Sequence, residues 1–307
     1  MTEAAGSGSE AGGLGARSAP LLVAAGAVSV QFGAAIATHL FHRVGPAGAV
    51  TLRLVLAAAA LALVNWREGP RLRQLGERRA DMYVAIGFGL VLGAMNLFFY
   101  EAIARIPLGV AVTVEFVGPL AVTIGLSRRR SDVLWAVLAA AGVVLLAGGD
   151  ALGAVRHVDL AGVGFALGAG ACWAGYILLN AETGRRFGGT SGLAIAMGVG
   201  SLLVLPLGLS QAGPVLFQPY VLGLGLAVAL LSSVVPYSLE LIALRRVSAR
   251  AFGILLSMDP AIAALVGLAV LGQRLTFTEV AALLLVVVAN VGSHVFDTRG
   301  PAVAGSG

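Results

Sequence analysis

Ten long apolar stretches, separated by short polar loops, constrain the fold of this 307-residue chain more than any other feature. Each has about the length that an α-helix needs to cross a bilayer, roughly 20 residues, and is too long for a barrel strand. Only 11% of the residues are charged, so a soluble fold has no means of covering so much apolar surface. We therefore predict an all-α membrane protein with ten transmembrane helices. These spans, numbered 1 to 10, cover residues 20–39, 46–65, 81–104, 106–126, 132–148, 159–181, 192–211, 219–243, 247–271 and 277–296.

Basic residues alternate in number from loop to loop. All 20 are arginines, and one of them, Arg53, lies within span 2. Because cytoplasmic loops carry the excess of basic residues, we predict that both termini are cytoplasmic. The net charge of +5 is then a sign of topology and not of nucleic-acid binding. The inner side holds Arg17, Arg67, Arg71, Arg73, Arg78, Arg79, Arg128, Arg129, Arg130, Arg185, Arg186, Arg245, Arg246, Arg250 and Arg299, and the outer side holds Arg43, Arg105, Arg156 and Arg274.

The two halves of the chain resemble each other. Residues 100–119 (YEAIARIPLGVAVTVEFVGP) align with residues 239–260 (LELIALRRVSARAFGILLSMDP) when two extra residues are allowed in the second stretch. Each has a glutamate near the end of one helix, a basic turn and a helix interrupted by proline. Because a five-helix repeat is odd, the second copy crosses the membrane in the opposite direction, as in transporters with a central substrate site. We expect a disordered cytoplasmic tail (1–19), two inverted five-helix repeats (20–148 and 159–296) and a C-terminal cytoplasmic tail (297–307).

Three charged residues lie well away from the ends of their spans, where a charge costs at least a few kcal/mol. Arg53 suits two-pronged binding of a carboxylate, although it can also extend to the interface or pair with an internal acid. Glu115 lies at the centre of span 4, four residues before Pro119, and Asp259 lies at the centre of span 9. A carboxyl in such surroundings favours its neutral form, so either acid can carry a proton or hold a substrate ammonium. The alternative is that one acid neutralises Arg53 as a structural ion pair.

Other polar residues in the spans have a structural interpretation of equal or greater weight. Glu101 and Glu240 lie near helix ends beside Arg105 and Arg245, which favours interfacial salt bridges. The buried amides Gln31 and Asn96 serve hydrogen bonds between helices as often as ligands. Aromatic residues in the inner halves of spans 6 and 8 form either an interfacial belt or a gate, and these are Trp173, Tyr176 and Tyr237. Prolines within spans free backbone carbonyls, as expected at Pro107, Pro119, Pro236 and Pro260.

The sequence has no pattern that indicates an enzyme, a cofactor or a metal site. The four histidines lie near loops and lack ligand spacing. Ser232, Ser233 and Ser257 have no histidine at a matching depth. The Gly-x-Gly strings lie in apolar helices, not in phosphate-binding loops.

Several long stretches resemble one transporter family. They are SVQFGAAIATHLFHRVGPAGAVTLRL, PLGVAVTVEFVGPLAV with the following SRRR, HVDLAGVGFALGAGACWAGYIL, and PYSLELIALRRVSARAFGILLSMDPAIAAL. From residue 29 to residue 292 the chain is similar to the drug/metabolite transporter superfamily of EamA type, and within it to the bacterial inner-membrane threonine and homoserine exporters. The resemblance implies a ten-helix protein in the inner membrane that exports small amino acids at the expense of the proton gradient. Its partners would be the amino acid, protons and membrane lipid. The residues it assigns to a central cavity are Gln31, Arg53, Asn96, Glu115, Tyr237 and Asp259.

Competing functions make different demands on the sequence. Efflux of other small metabolites or cationic drugs would use the same fold and cavity. An intramembrane enzyme would need paired catalytic groups near an interface, and a channel would need a continuous polar stripe. The spans instead carry one or two polar residues each near mid-depth, which favours a secondary transporter.

Overall fold

A computed structural model describes residues 7–65, 79–126, 131–147, 159–187, 191–236, 239 and 255–296. Within these residues the chain forms helices and short turns, so the prediction of an all-α protein is confirmed there. A 3₁₀ turn, Gly213–Phe217, precedes the α-helix Pro219–Ala229, and a π-helical turn, Leu230–Val234, continues it. The α-helices are α1 (Ser7–Asn65), α2 (Arg79–Ile103), α3 (Leu108–Glu115), α4 (Val117–Leu126), α5 (Ser131–Ala147), α6 (Leu160–Arg186), α7 (Ser191–Ala212), α8 (Pro219–Ala229), α9 (Asp259–Leu271) and α10 (Phe277–Phe296).

Helix α1 consists of two arms that meet at Gly45. Gly45 has φ 68° and ψ 172°, a conformation that favours glycine, and Pro46 follows it. Ser29 on the first arm and Arg53 on the second donate hydrogen bonds to the adjacent carbonyls of Leu231 and Ser232. In a straight helix these donors would be about 36 Å apart at 1.5 Å per residue. The arms therefore fold back on each other, and the bend coincides with the gap between spans 1 and 2.

The start of α1 differs from the sequence-based expectation. The helix begins at Ser7, whereas the sequence predicts a disordered tail over residues 1–19. Extending an existing helix costs less than nucleating a new one, so span 1 can continue beyond its apolar part.

The exposed surface of the bundle is apolar. Among the described residues, four helical segments are long and apolar enough to cross a membrane, namely Pro20–Leu63, Ala80–Ile103, Leu160–Asn180 and Gly192–Phe217. The first contains 44 residues and the bend at Gly45, which is sufficient length for two crossings. Shorter apolar helices make up the rest. Leucines 21, 63 and 202 are all exposed while Arg53 is buried, which is the distribution expected in a bilayer.

Several helix pairs pack antiparallel between the first and second halves of the chain. They include the second arm of α1 with α7, α3 with α9, and α5 with α10. In each pair, residue numbers rise along one helix as they fall along its partner. The contacts that fix these directions join Ala47 to Gln211, Thr51 to Val204, Leu108 to Gln273, Gly109 to Ala264, Trp135 to Gly292 and Gly142 to Val286.

Two glutamines from the second half cap helices of the first half. The Gln211 Oε1 atom accepts a hydrogen bond from the Ala47 amide at 2.9 Å, and Gln273 Oε1 accepts one from the Leu108 amide at 3.0 Å. Both amides directly follow a proline at the start of a helical segment, where backbone N–H groups lack partners within the helix. These side chains therefore connect the two halves at helix ends.

Two other helix starts have caps that the sequence encodes locally. The Asp159 carboxylate accepts from the Ala161 amide at 2.8 Å at the start of α6. Thr276 and Glu279 bond to each other's backbone amides at the start of α10, forming a capping box. The buried Glu279 therefore has a structural role.

Candidate functional site

Arg53 is buried, and a helix break holds its guanidinium in the interior of the bundle. Its Nη2 atom donates to the Ser232 carbonyl at 3.0 Å, in the π-helical turn that follows α8. Pro236 follows this turn and has no N–H, so it cannot bond the carbonyls four or five residues before it. Those carbonyls belong to Ser232 and Leu231. The proline thus leaves acceptors for side chains of α1.

Both arms of α1 use these acceptors. The Ser29 hydroxyl donates to the Leu231 carbonyl at 2.7 Å, next to the bond made by Arg53. Gly33 allows the close approach, since a Cβ at this position would overlap the Ser232 hydroxyl. Spans 1, 2 and 8 therefore meet at one level.

Helix α2 contributes an aromatic face to the same level. The Arg53 guanidinium carbon lies 5.7 Å from the centre of the Tyr100 ring, a favourable cation–π arrangement. Tyr100 is fully buried and packs against Phe41 at 5.8 Å between ring centroids. Asn96 is one turn earlier on the same face of α2, and its amide nitrogen donates to the Leu92 carbonyl at 2.9 Å. Asn96 thus already has a partner for one of its donors.

Glu115 is the last residue of α3, at a second helix break. Phe116 separates α3 from α4, and Pro119 has no N–H for the Glu115 carbonyl. Helix α6 crosses closely at this point, because a Cβ on Gly170 would lie 2.6 Å from the Glu115 carbonyl oxygen. The Glu115 side chain is only 7% exposed. The break therefore positions a carboxyl inside the bundle.

Arg53 and Asp259 both lie within electrostatic range of Glu115. Among the described side chains, Arg53 and Glu115 do not form an ion pair with each other. Asp259 is the first residue of α9 and follows a turn at Ser257 and Met258, so it begins a helix and does not lie in the middle of one. Pro260 at the second position favours this start, because a missing N–H costs nothing there.

Several buried polar atoms in spans 1, 2, 3 and 8 have no hydrogen-bond partner among the described residues. They include Gln31 Oε1, Arg53 Nε, and the hydroxyls of Tyr100, Ser232 and Ser233. Buried polar groups in proteins are nearly always paired, and each unpaired one costs about 1–3 kcal/mol. Donors and acceptors from spans 1, 2, 3 and 8 are thus available to a polar ligand.

The remaining predicted residues have different surroundings. Trp173 packs edge-to-face on Phe116 at 5.0 Å, and Tyr176 contacts Phe88 at 5.2 Å. These rings therefore contact aromatic residues of neighbouring helices. Tyr237 lies outside the described residues.

The interfacial salt bridge predicted at the end of α2 is confirmed. Arg105 Nη1 bonds Glu101 Oε2 at 2.5 Å, and its guanidinium carbon lies 4.8 Å from the centre of the Phe165 ring. Glu240 and Arg245, the second predicted pair, lie outside the described residues. Glu101 therefore forms a salt bridge at the end of α2 and is not part of the interior site.

Sequence analysis missed Tyr100 and Ser29 and gave Ser232 no role at the site. A signal existed for two of them. Tyr100 follows Asn96 by one helical turn, and Ser232 precedes Pro236 by four residues, which marks a freed carbonyl. Ser29 has no comparable signal, because its partner is 202 residues away in the chain. The described residues contain no group of three His, Cys, Asp or Glu side chains that could hold a metal ion.

Comparisons with known proteins agree with this architecture. The model of the EamA-like transporter family matches residues 160–293. The threonine/homoserine exporter RhtA of Salmonella typhimurium strain LT2 is 44% identical over 290 residues, covering 92% of this chain and 94% of that protein. RhtA of Escherichia coli strain K12 is 45% identical over 267 residues, covering 86% and 87%. A crystal structure with 19% identity covers 94% of this chain and 99% of its own, with a TM-score of 0.55, which shows a shared fold.

Proposed function

Because this chain belongs to the EamA-like transporter family, we propose that it exports threonine-like and homoserine-like amino acids by proton antiport. Relatives that cover most of the chain are named exporters, in agreement with the prediction that it is not an enzyme. The substrate class follows from their names and from the chemistry of the interior.

The proposed architecture is ten transmembrane helices in two inverted repeats, residues 20–148 and 159–296. Support comes from three of the antiparallel pairs: the second arm of α1 with α7 (spans 2 and 7), α3 with α9 (spans 4 and 9) and α5 with α10 (spans 5 and 10). A shift of five spans relates the members of each pair, and opposite direction is the requirement of an inverted repeat. Moreover, α2 (span 3) packs on α6 and α7 (spans 6 and 7), while α8 (span 8) packs on both arms of α1 (spans 1 and 2). The same shift of five spans converts the first set of contacts into the second.

One observation carries the functional proposal: Arg53 and Glu115 are both buried and are not joined in an ion pair. In this proposal a zwitterionic amino acid binds both residues, with its carboxylate on the Arg53 guanidinium and its ammonium on Glu115. Gln31 and Asn96 would supply amide oxygens to the ammonium. Tyr237 keeps its proposed place in the cavity from the family resemblance alone.

Antiport requires that amino acid and proton compete. A carboxyl in the interior favours its neutral form, whereas a bound ammonium favours the ionised one. Glu115 would then release its proton when the amino acid binds and regain it on the opposite side. Asp259, which interacts electrostatically with Glu115, is the second candidate for this role. In the proposed orientation the protein lies in a bacterial inner membrane, and both of its termini face the cytoplasm.

Transport by purified protein in liposomes tests the proposal. We expect uptake of labelled threonine or homoserine when the opposite side supplies excess amino acid or protons. If no amino acid of a broad panel competes for uptake, the chain transports another small metabolite or a cationic drug.

Glu115→Gln tests the coupling, because it removes the titrating proton and keeps the shape. We expect loss of the response to a pH gradient, with weak amino-acid exchange retained if the amide oxygen still accepts from the ammonium. Glu101→Gln is the matched control, since Glu101 bonds Arg105 at the helix end. A Glu115→Gln protein that responds to the gradient as the parent does would transfer the coupling role to Asp259.

A further inference from the structure

Tyr100 has a side chain that is fixed in place while its hydroxyl lacks a partner among the described residues. The residue is fully buried, and its ring contacts Phe41 at 5.8 Å and Phe99 at 6.1 Å. The Arg53 guanidinium lies over the ring at 5.7 Å. These contacts fix the position of the phenolic oxygen, and no described residue forms a hydrogen bond with it there.

Packing alone does not explain a tyrosine at this position. A buried tyrosine hydroxyl usually has a partner, and leaving it unpaired costs about 1–3 kcal/mol. Phenylalanine would make the same ring contacts without this cost. The hydroxyl is therefore better explained by a ligand that pairs with it.

The neighbouring groups indicate which part of the ligand this is. In the proposed function, Arg53 binds the α-carboxylate and Glu115 binds the α-ammonium. Threonine and homoserine have one further polar group, the side-chain hydroxyl. A phenolic O–H can both donate to such a hydroxyl and accept from it. The Ser232 hydroxyl is less suited, since it points into the contact with Gly33.

We propose that the Tyr100 hydroxyl binds the side-chain hydroxyl of the exported amino acid and is the group that selects hydroxy amino acids over apolar ones. This inference rests on the proposed function. Valine is the informative competitor, because a methyl group replaces the threonine hydroxyl at nearly the same volume. Valine would leave the Tyr100 hydroxyl unpaired. We therefore expect the parent protein to transport threonine in preference to valine by about 10- to 100-fold.

The test compares labelled threonine and labelled valine as substrates of the full chain in liposomes. We expect Tyr100→Phe to lose most of the discrimination, through a higher half-saturation concentration for threonine and a lower one for valine. Tyr83→Phe is the control, because Tyr83 is 70% exposed near the start of α2. A packing role alone would change uptake of both amino acids in the same direction.

Two results would overturn the inference while leaving the proposed function intact. One is a parent protein that transports threonine and valine equally well, a measurement that does not depend on the folding of any variant. The other is a Tyr100→Phe protein with the threonine-to-valine ratio of the parent. If the parent transports no hydroxy amino acid at all, the proposed function fails and this inference fails with it.

Discussion

At the scale of single residues, Arg53 decides whether the interior is a binding site or a structural ion pair. Its described partners are a backbone carbonyl and an aromatic ring, and neither neutralises the guanidinium. Burying a cation without a directly bonded anion is costly, so a protein without use for an anion site would gain stability by replacing it. The Nε atom has no partner among the described residues and remains available to an anionic ligand.

Arg53→Gln should abolish amino-acid transport while the protein still inserts and folds, because the uncharged amide leaves no group to hold the carboxylate. Arg53→Lys should restore the charge but not the two-pronged geometry, and therefore transport only weakly. Uptake into liposomes measures both, and gel filtration in detergent checks folding. Arg43→Gln is the control, as Arg43 stacks on Tyr220 away from the interior. Normal transport by Arg53→Gln would reduce Arg53 to a structural residue.

At the scale of secondary-structure elements, broken helices create the site. The π-helical turn after α8 presents two consecutive carbonyls to α1, and the break between α3 and α4 positions Glu115. Both breaks have a proline one turn later that cannot donate a backbone hydrogen bond. Irregular backbone of this kind is tolerated at membrane depth only where it is buried in protein or lines a cavity.

Pro236→Ala should weaken transport without lowering the thermal stability of the protein. The alanine N–H competes with Ser29 and Arg53 for the carbonyls of the turn, and alanine is the better helix former by about 3 kcal/mol. We expect the half-saturation concentration for threonine to rise about 10-fold, since hydrogen bonds to charged groups contribute about 1.5–3 kcal/mol. Pro206→Ala in α7 is the control, because Pro206 withholds a backbone donor only from the carbonyl of Leu202, whose side chain is exposed. An unchanged half-saturation concentration would mean that Pro236 does not position Arg53.

At the scale of the whole molecule, the helix ends of the two halves interlock. Gln211 and Gln273 bind amides of the first half, and Asp81 on α2 bonds Arg186 on α6 at 2.8 Å. Hydrogen bonds from Arg185 and Arg186 lower the pKa of the Glu182 carboxyl at the same end of α6, so this acid stays ionised and holds the arginines there. Under the proposed topology, the glutamines lie on the outer side and the cluster around Arg186 on the inner side.

Thiol labelling tests this topology directly. Cys172 is the one cysteine of the chain, so Cys172→Ala gives a background for single thiols. A thiol reagent that does not cross membranes, added from outside, should react with Gln218→Cys. Gln74→Cys should react only after the membrane is permeabilised, because the proposed topology places the arginine-rich stretch before α2 on the inner side. Reaction of both from the same side would contradict the ten-span topology.

Local sequence was sufficient to predict much of the fold and part of the candidate site. Apolar length predicted the helices, and the Gly-Pro pair at residues 45 and 46 marks the bend of α1 because glycine accepts positive φ and proline lacks a donor. Arg53 and Glu115 were recognisable because charge within an apolar run is expensive whatever the fold. These inferences need only neighbours in the chain, so the amino-acid sequence by itself determined them.

Tertiary structure alone decided which groups meet. Nothing near Arg53 in the chain indicates that Ser232 is its partner, and nothing near Tyr100 indicates that a guanidinium lies over its ring. Such pairings depend on which helices pack together, and in lipid that is set by close fits between small residues, such as Gly118 against Gly170. Similar glycines occur on most spans, so their sequence pattern does not specify a partner. The depth of a charged residue was therefore local information, whereas its partners depended on packing between residues far apart in the chain.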